Sequence, residues 1–162
     1  SNVELVELAD RLKSSTRLCM IKYLEKQNMK YCGIELKSNE ARIVSIEVDE
    51  TGEYNYISTK TKKIKLNDSK SQEATRSFKE EFTAFFQDNN FEKIGIKERM
   101  RKGKFAGGAD SFKMEGIIQT LDFPIEILHT ATVKAKIKDK KLKTDEINSY
   151  QEEALKVALS LM

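Results

Sequence analysis

Apolar residues recur every three or four positions near the start of the chain: Val6, Leu8, Ala9 and Leu12, then Leu18, Ile21 and Leu24. This spacing predicts an amphipathic helix over residues 3–26, with Ser14-Ser15-Thr16 as the place where it would break in two. Met29 stands directly before the first strand-like segment, which divides the chain into an N-terminal helical extension, residues 1–28, and a folded domain, residues 29–162. The extension reads as an arm, an oligomerisation helix or translated upstream sequence, and the residues do not choose among the three. Ser1-Asn2, ahead of Val3 and without an initiator Met, reads as an expression scar.

From Tyr31 the pattern changes to strands, over residues 31–36, 41–48 and 54–66, separated by the short polar turns 37–40 and 50–53. Three consecutive strands with such turns make an antiparallel meander. Residues 71–89 then read as a helix with Phe78, Phe82, Phe85 and Phe86 on one face, an aromatic stripe that belongs in a core. A short apolar strand follows at 93–97, then a basic, glycine-containing loop through Gly108, a helix over 110–121 and a strand over 125–129 behind Pro124. A lysine-rich stretch and a helix over 145–161 complete the chain. The order is βββαβαβα, which predicts an α/β domain around a mixed five-stranded sheet.

The 162 residues suffice for one domain with a continuous core, and 39% hydrophobic against 34% charged residues argues for a folded protein with a heavily solvated surface. A net charge of only +3 is weak evidence for a polyanionic partner, so any such signal must come from clustering. Cys19 and Cys32 lack metal-ligand spacing and His129 stands alone, which excludes a His-rich zinc site and reads as two free thiols, buried or half-buried, in a reducing compartment. No apolar run approaches the roughly 18 residues that a membrane span needs, so no membrane partner and a cytoplasmic location are expected.

Three carboxylates stand where they could meet. Glu35 is the one charged residue in the apolar run Gly33-Ile34-Glu35-Leu36, and Glu98 ends the fourth strand in Ile94-Gly95-Ile96-Lys97-Glu98. Were those strands parallel neighbours, their C-terminal ends would open into one crevice, and Glu153, in the small and apolar final helix, could be brought over it. Three carboxylates without histidine or thiol suit Mg²⁺ or Mn²⁺. Taken singly, Glu35 and Glu98 read rather as ion-pair partners of Lys37, Lys97 or Arg99, and Glu153 as a solvated residue; it is together that they suggest a metal site. Lys97, Arg99, Arg101, Lys102 and Lys104 crowd the loop after Glu98, with Phe105 behind them, a composition suited to phosphates and to stacking on a base. Lys134, Lys136, Lys138, Lys140, Lys141 and Lys143 form a second basic run, and His129, ending the fifth strand, reads as a satisfied core residue or as one that assists near the crevice.

These segments together resemble the Holliday-junction resolvase (RuvC) branch of the ribonuclease H-like superfamily. Gly33-Ile34-Glu35-Leu36-Lys37-Ser38-Asn39 is similar to its opening Gly-Ile-Asp-Pro-Gly-Ser segment, and Glu98 matches the acid that ends its fourth strand. Asp110-Ser111-Phe112-Lys113-Met114-Glu115-Gly116, Pro124 followed by Thr132-Val133-Lys134, and Glu153-Ala154-Leu155-Lys156-Val157-Ala158 resemble its later helix, its next strand and its closing helix. More narrowly, the Gly33 to Ala41 segment and Gly103-Lys104-Phe105-Ala106-Gly107-Gly108-Ala109 look like a small bacterial family of unknown function. The resemblance implies a ribonuclease H-like fold and a divalent-metal-dependent nuclease for structured DNA or RNA, with Glu35, Glu98 and Glu153 as catalytic metal ligands for Mg²⁺ or Mn²⁺. It also implies nucleic-acid contacts from Lys37, Arg99, Arg101, Lys102, Lys104 and Lys134, the last near the scissile phosphate. All three acids are Glu where the active nucleases mostly carry Asp at the first and last positions, and Tyr150 stands where the resolvases carry another ligand. Metals in two-metal hydrolysis sit about 3.5–4 Å apart, a spacing an extra methylene disturbs. The alternative expectation is therefore a catalytically inactive nucleic-acid-binding or protein-interaction module of the same fold; if the N-terminal helix is the interaction element, a homodimer joined through it is one assembly the sequence allows.

Overall fold

The computed structural model describes residues 4, 7, 8, 10, 11, 13–25 and 28–162. Strand β1 (Met29–Lys37) sends Cys32, Ile34 and Leu36 to one side of the sheet and Gly33 and Glu35 to the other, the alternation a pleated strand imposes. Its hairpin partner β2 (Glu40–Val48) runs antiparallel, with Gly33 opposite Val44 and Glu35 opposite Arg42. Ser38, at φ 55°, turns the chain between them.

The third strand departs from expectation. Residues 54–66 form two short strands, β3 (Tyr54–Tyr56) and β4 (Lys63–Lys65), each antiparallel to β2. The sheet therefore has six strands, in the order β3-β2-β1-β5-β6 with β4 beside β2, where β5 is Lys93–Lys97 and β6 is Ile125–Leu128. Between the two pieces Thr59 Oγ1 donates to the Thr61 carbonyl at 3.0 Å, a local side-chain bond at the interruption.

Helix α2 (Gln72–Asn89) begins where the Ser71 hydroxyl accepts from the Ala74 amide and ends at Asn90 in the left-handed conformation. It buries Phe78, Phe82, Phe85 and Phe86 as expected, with neighbouring rings 5.0–5.8 Å apart along the stripe. Strand β5 (Lys93–Lys97) lies parallel to β1, and β6 (Ile125–Leu128) parallel to β5, reached through α3 (Ala109–Gln119). The phenylalanines, with Met114 and Ile118 of α3, cover Cys32, Ile34, Leu36, Ile94 and Ile96 on one face.

The opposite face carries α5 (Glu152–Ser160), whose Ala154, Leu155, Ala158 and Leu159 pack on Val44 and Ile46. The fit is close: a Cβ on Gly33 would lie 2.1 Å from the Ala154 carbonyl oxygen and 2.4 Å from the Ala158 nitrogen. Only a glycine lets the helix approach so near.

Between β6 and α5 stands α4 (Thr130–Ile137), which the pattern did not predict; Thr132-Val133-Lys134, expected in a strand, lie within it. Its N-terminus is capped by His129, whose Nδ1 accepts from the Ala131 amide at 3.2 Å. His129 is consequently no core residue, with 69% of its side chain exposed. The final helix starts later than expected, after two 3₁₀ turns, Thr144–Glu146 and Ser149–Gln151. Near the N-terminus, helix α1 (Ser14–Glu25) begins at the serines that were expected to interrupt a longer helix, and Leu18 of its apolar stripe is 55% exposed. The expected helix over residues 3–12 falls largely outside the described residues. No helix among the described residues is long and apolar enough to cross a membrane.

Candidate nucleic-acid interface

The parallel register of β1 and β5 pairs Gly33 with Gly95 and Ile34 with Ile96, and its continuation sets Lys97 beside Glu35. Both side chains belong to the face covered by α5, because Gly33 and Gly95, two residues earlier on each strand, are the ones that meet that helix. Glu98 belongs to the opposite face, with Ile94 and Ile96, where its charge acts on Glu115 of α3. The expected meeting of Glu35, Glu98 and Glu153 is thus divided between two sides of the sheet: Glu35 and Glu153 on one, Glu98 on the other.

Around Glu35 and Glu153 the structure gathers cations. Lys97 Nζ donates to Glu153 Oε2 and Lys156 Nζ to Glu153 Oε1, both at 2.8 Å. Glu35, only 8% exposed, lies 3.5 Å from Arg42 Nη1 and acts electrostatically on Lys156. Burial by itself would raise the Glu153 carboxyl, but the hydrogen bonds from Lys156 and Lys97 outweigh it and hold its pKa below the ordinary value. The same bond from Glu153 raises the Lys156 ammonium. Tyr150, at the expected position of a further ligand, stacks its ring under Arg42 and Lys63, at 5.8 and 5.1 Å from the centroid.

A divalent ion does not fit this arrangement. Both oxygens of Glu153 are already taken by ammonium groups, Glu35 faces a guanidinium, and among the described residues no group of three or more His, Cys, Asp or Glu could hold a metal.

A groove of about 600 Å³ opens at the C-terminal ends of β5 and β6. Glu98, Arg99, Met100, Arg101 and Lys102 form one wall, and His129, Thr130, Ala131 and Lys134 the other. Two basic segments more than 30 residues apart in sequence therefore face one another, which brings Arg99, Arg101, Lys102 and Lys134 to one groove. The loop wall is folded back on itself: the Gly107 amide donates to the Met100 carbonyl at 2.7 Å, and Gly107 lies so close to Arg99 that a Cβ there would come within 2.9 Å of Nε. Its tip leaves Phe105 73% exposed, with Lys104 Nζ 5.8 Å from the ring centroid. Lys104 and Lys37 are exposed but do not line the groove.

The second basic run is partly spent on the fold. Lys140 Nζ donates to the Leu159 carbonyl at 2.7 Å and Lys143 Nζ to the Tyr54 carbonyl at 3.0 Å, while the Tyr54 and Tyr56 hydroxyls donate to the carbonyls of Lys141 and Lys143. Glu115 is the acid that sequence reasoning passed over. It is buried beneath the loop, where desolvation raises its pKa, Arg101 opposes the rise and Glu98 adds to it. Cys19 is exposed; Cys32 is fully buried, and burial pushes its thiol up.

The sheet order and the helices on its two faces define a ribonuclease H-like α/β protein, and known structures bear this out. RuvC of Thermus thermophilus in complex with a Holliday junction substrate superimposes with a TM-score of 0.60 at 14% identity, over 82% of this chain and 91% of RuvC. A second Thermus thermophilus RuvC structure gives 0.63 at 13% identity, over 82% of this chain and 92% of that one. At such identities the likeness defines the fold. The chain belongs to the family described as protein of unknown function DUF3010, whose model matches residues 29–161. No curated protein sequence matches it.

Proposed function

We propose that residues 29–162 form a nucleic-acid-binding domain that holds the phosphate backbone of structured DNA or RNA in the groove between the loop after β5 and helix α4, with residues 1–28 as an appended arm. The observation that carries this reading is the convergence of Arg99, Arg101 and Lys102 with Lys134, from separate elements, on one groove. Backbone recognition needs such a row of cations at fixed spacing. The exposed Phe105 and Met100 beside it offer apolar surface for an unpaired base. The fold is shared with a RuvC whose structure holds a Holliday junction, which makes branched DNA the first substrate to try.

The test is fluorescence anisotropy with a four-way junction, a duplex and a single strand, in DNA and RNA forms, across a salt series with EDTA present. Affinity should fall linearly in log–log form with salt, by about 0.9 of a power per phosphate contact on duplex. Lys134→Ala should weaken binding of every sequence alike and reduce that slope by about one unit, and Arg101→Ala/Lys102→Ala by more. Absent or salt-independent binding would remove the proposal. Glu98, facing the groove, favours a second reading in which this groove, and not the crevice of Glu35 and Glu153, serves divalent-metal-dependent strand cleavage with Mg²⁺ or Mn²⁺. Strand cleavage that appears with Mn²⁺ and vanishes in Glu98→Gln would establish it.

A further inference from the structure

We infer that Lys97 and Lys156 are fixed counter-ions that occupy the α5-side crevice in place of divalent cations, so that this crevice is complete without metal and takes none. The inference concerns the protein alone and stands whether or not the groove binds nucleic acid.

Four observations carry it. The register of β1 and β5 puts a lysine, not an acid, beside Glu35. The two ammonium groups sit at 2.8 Å on the two oxygens of one carboxylate, so Glu153 has both oxygens engaged by cations. The cations come from different elements, a strand and the helix above it, and the close seat of α5 on Gly33 holds the two at a set depth. Arg42 completes the set against Glu35 and also faces Glu40, at 3.5 and 3.6 Å.

The charge balance explains why metal would be refused. Glu35, Glu152 and Glu153 are offset by Lys97, Lys156 and Arg42, with Lys156 Nζ also 3.9 Å from Glu152 Oε1. A divalent ion entering would have to displace both ammonium groups from Glu153 and then remain beside them, where like charges repel. A tethered ammonium also loses no translational freedom on pairing, which a free ion does.

Calorimetric titration of Mn²⁺ at low ionic strength tests the idea on the whole chain. For the wild type, Glu153→Gln should leave any Mn²⁺ isotherm unchanged. Lys97→Met/Lys156→Met, which keeps the side-chain length and removes the charges, should gain a Mn²⁺ site tighter than any in the wild type by about tenfold or more, lost again when Glu153→Gln is added. Because the double variant strips Glu153 of both its cations and could fail to fold, a second measurement uses the wild type alone. Paramagnetic Mn²⁺ should not selectively broaden the carboxyl carbon signals of Glu35 and Glu153. A wild-type site abolished by Glu153→Gln, selective broadening of those signals, or a folded double variant with no gain would each overturn the inference.

Discussion

Glu115 carries a carboxyl whose Oε2 is buried without a hydrogen-bond partner, and whose pKa is raised. An acid with a raised folded-state pKa stabilises the fold fully only below its unfolded value, near 4.3, and that contribution is lost as pH climbs through the folded value. Glu115→Gln should therefore raise Tm at pH 7.5 by about 2 °C and give no gain at pH 4, read by differential scanning calorimetry. A lower Tm would mean that the attraction of Arg101 outweighs desolvation. Glu153 has the opposite sign: its depressed pKa supplies stability above the unfolded value that is lost as pH falls through the folded one. The acids themselves were legible in the sequence, but their partners were not. Lys97 and Glu98 are adjacent, and which of the two stands beside Glu35 depends on strand register, where a shift of one residue exchanges the faces. Glu115 was hidden for another reason, since an acid one turn inside a helix reads as solvated until the helix is docked.

Among elements, the seat of α5 on β1 decides where Glu153 and Lys156 stand. A methyl group at position 33 would meet backbone atoms of α5, which cannot rotate away as a side chain can. Gly33→Ala should cost about 2–3 kcal/mol in urea denaturation, and in Lys156 side-chain spectra it should loosen the pairing with Glu153. An unchanged midpoint would show that the helix shifts freely. Periodicity revealed α2 and β1 because each presents a long, regular stripe. It missed α4, an eight-residue helix that carries β-branched Thr130, Thr132 and Val133, merges into the lysine-rich stretch and is capped by a histidine side chain. It also joined β3 to β4, since the interruption at residues 57–62 leaves no trace in the hydrophobic pattern.

For the molecule as a whole, the near balance of charge conceals an uneven distribution. Arg99, Arg101, Lys102 and Lys134 meet at one end of the sheet, while Lys97, Lys156 and Arg42 are neutralised inside and Lys140 and Lys143 fasten the fold. The order of strands and helices was legible from β1 onward apart from these two elements, whereas the division of cations between binding and structure emerged only in three dimensions. The interrupted third strand has a further consequence, for coexistence with other copies of the chain. A continuous outer strand offers unpaired amides and carbonyls as a template for its neighbours. Here that template is cut into two three-residue pieces, with Lys60, Lys62, Lys63 and Lys65 in and around the second. Lys60→Val/Lys62→Val should leave Tm nearly unchanged yet make light scattering rise with protein concentration during a prolonged warm incubation. By that measure, the gap is expected to limit edge-to-edge pairing between copies of the chain.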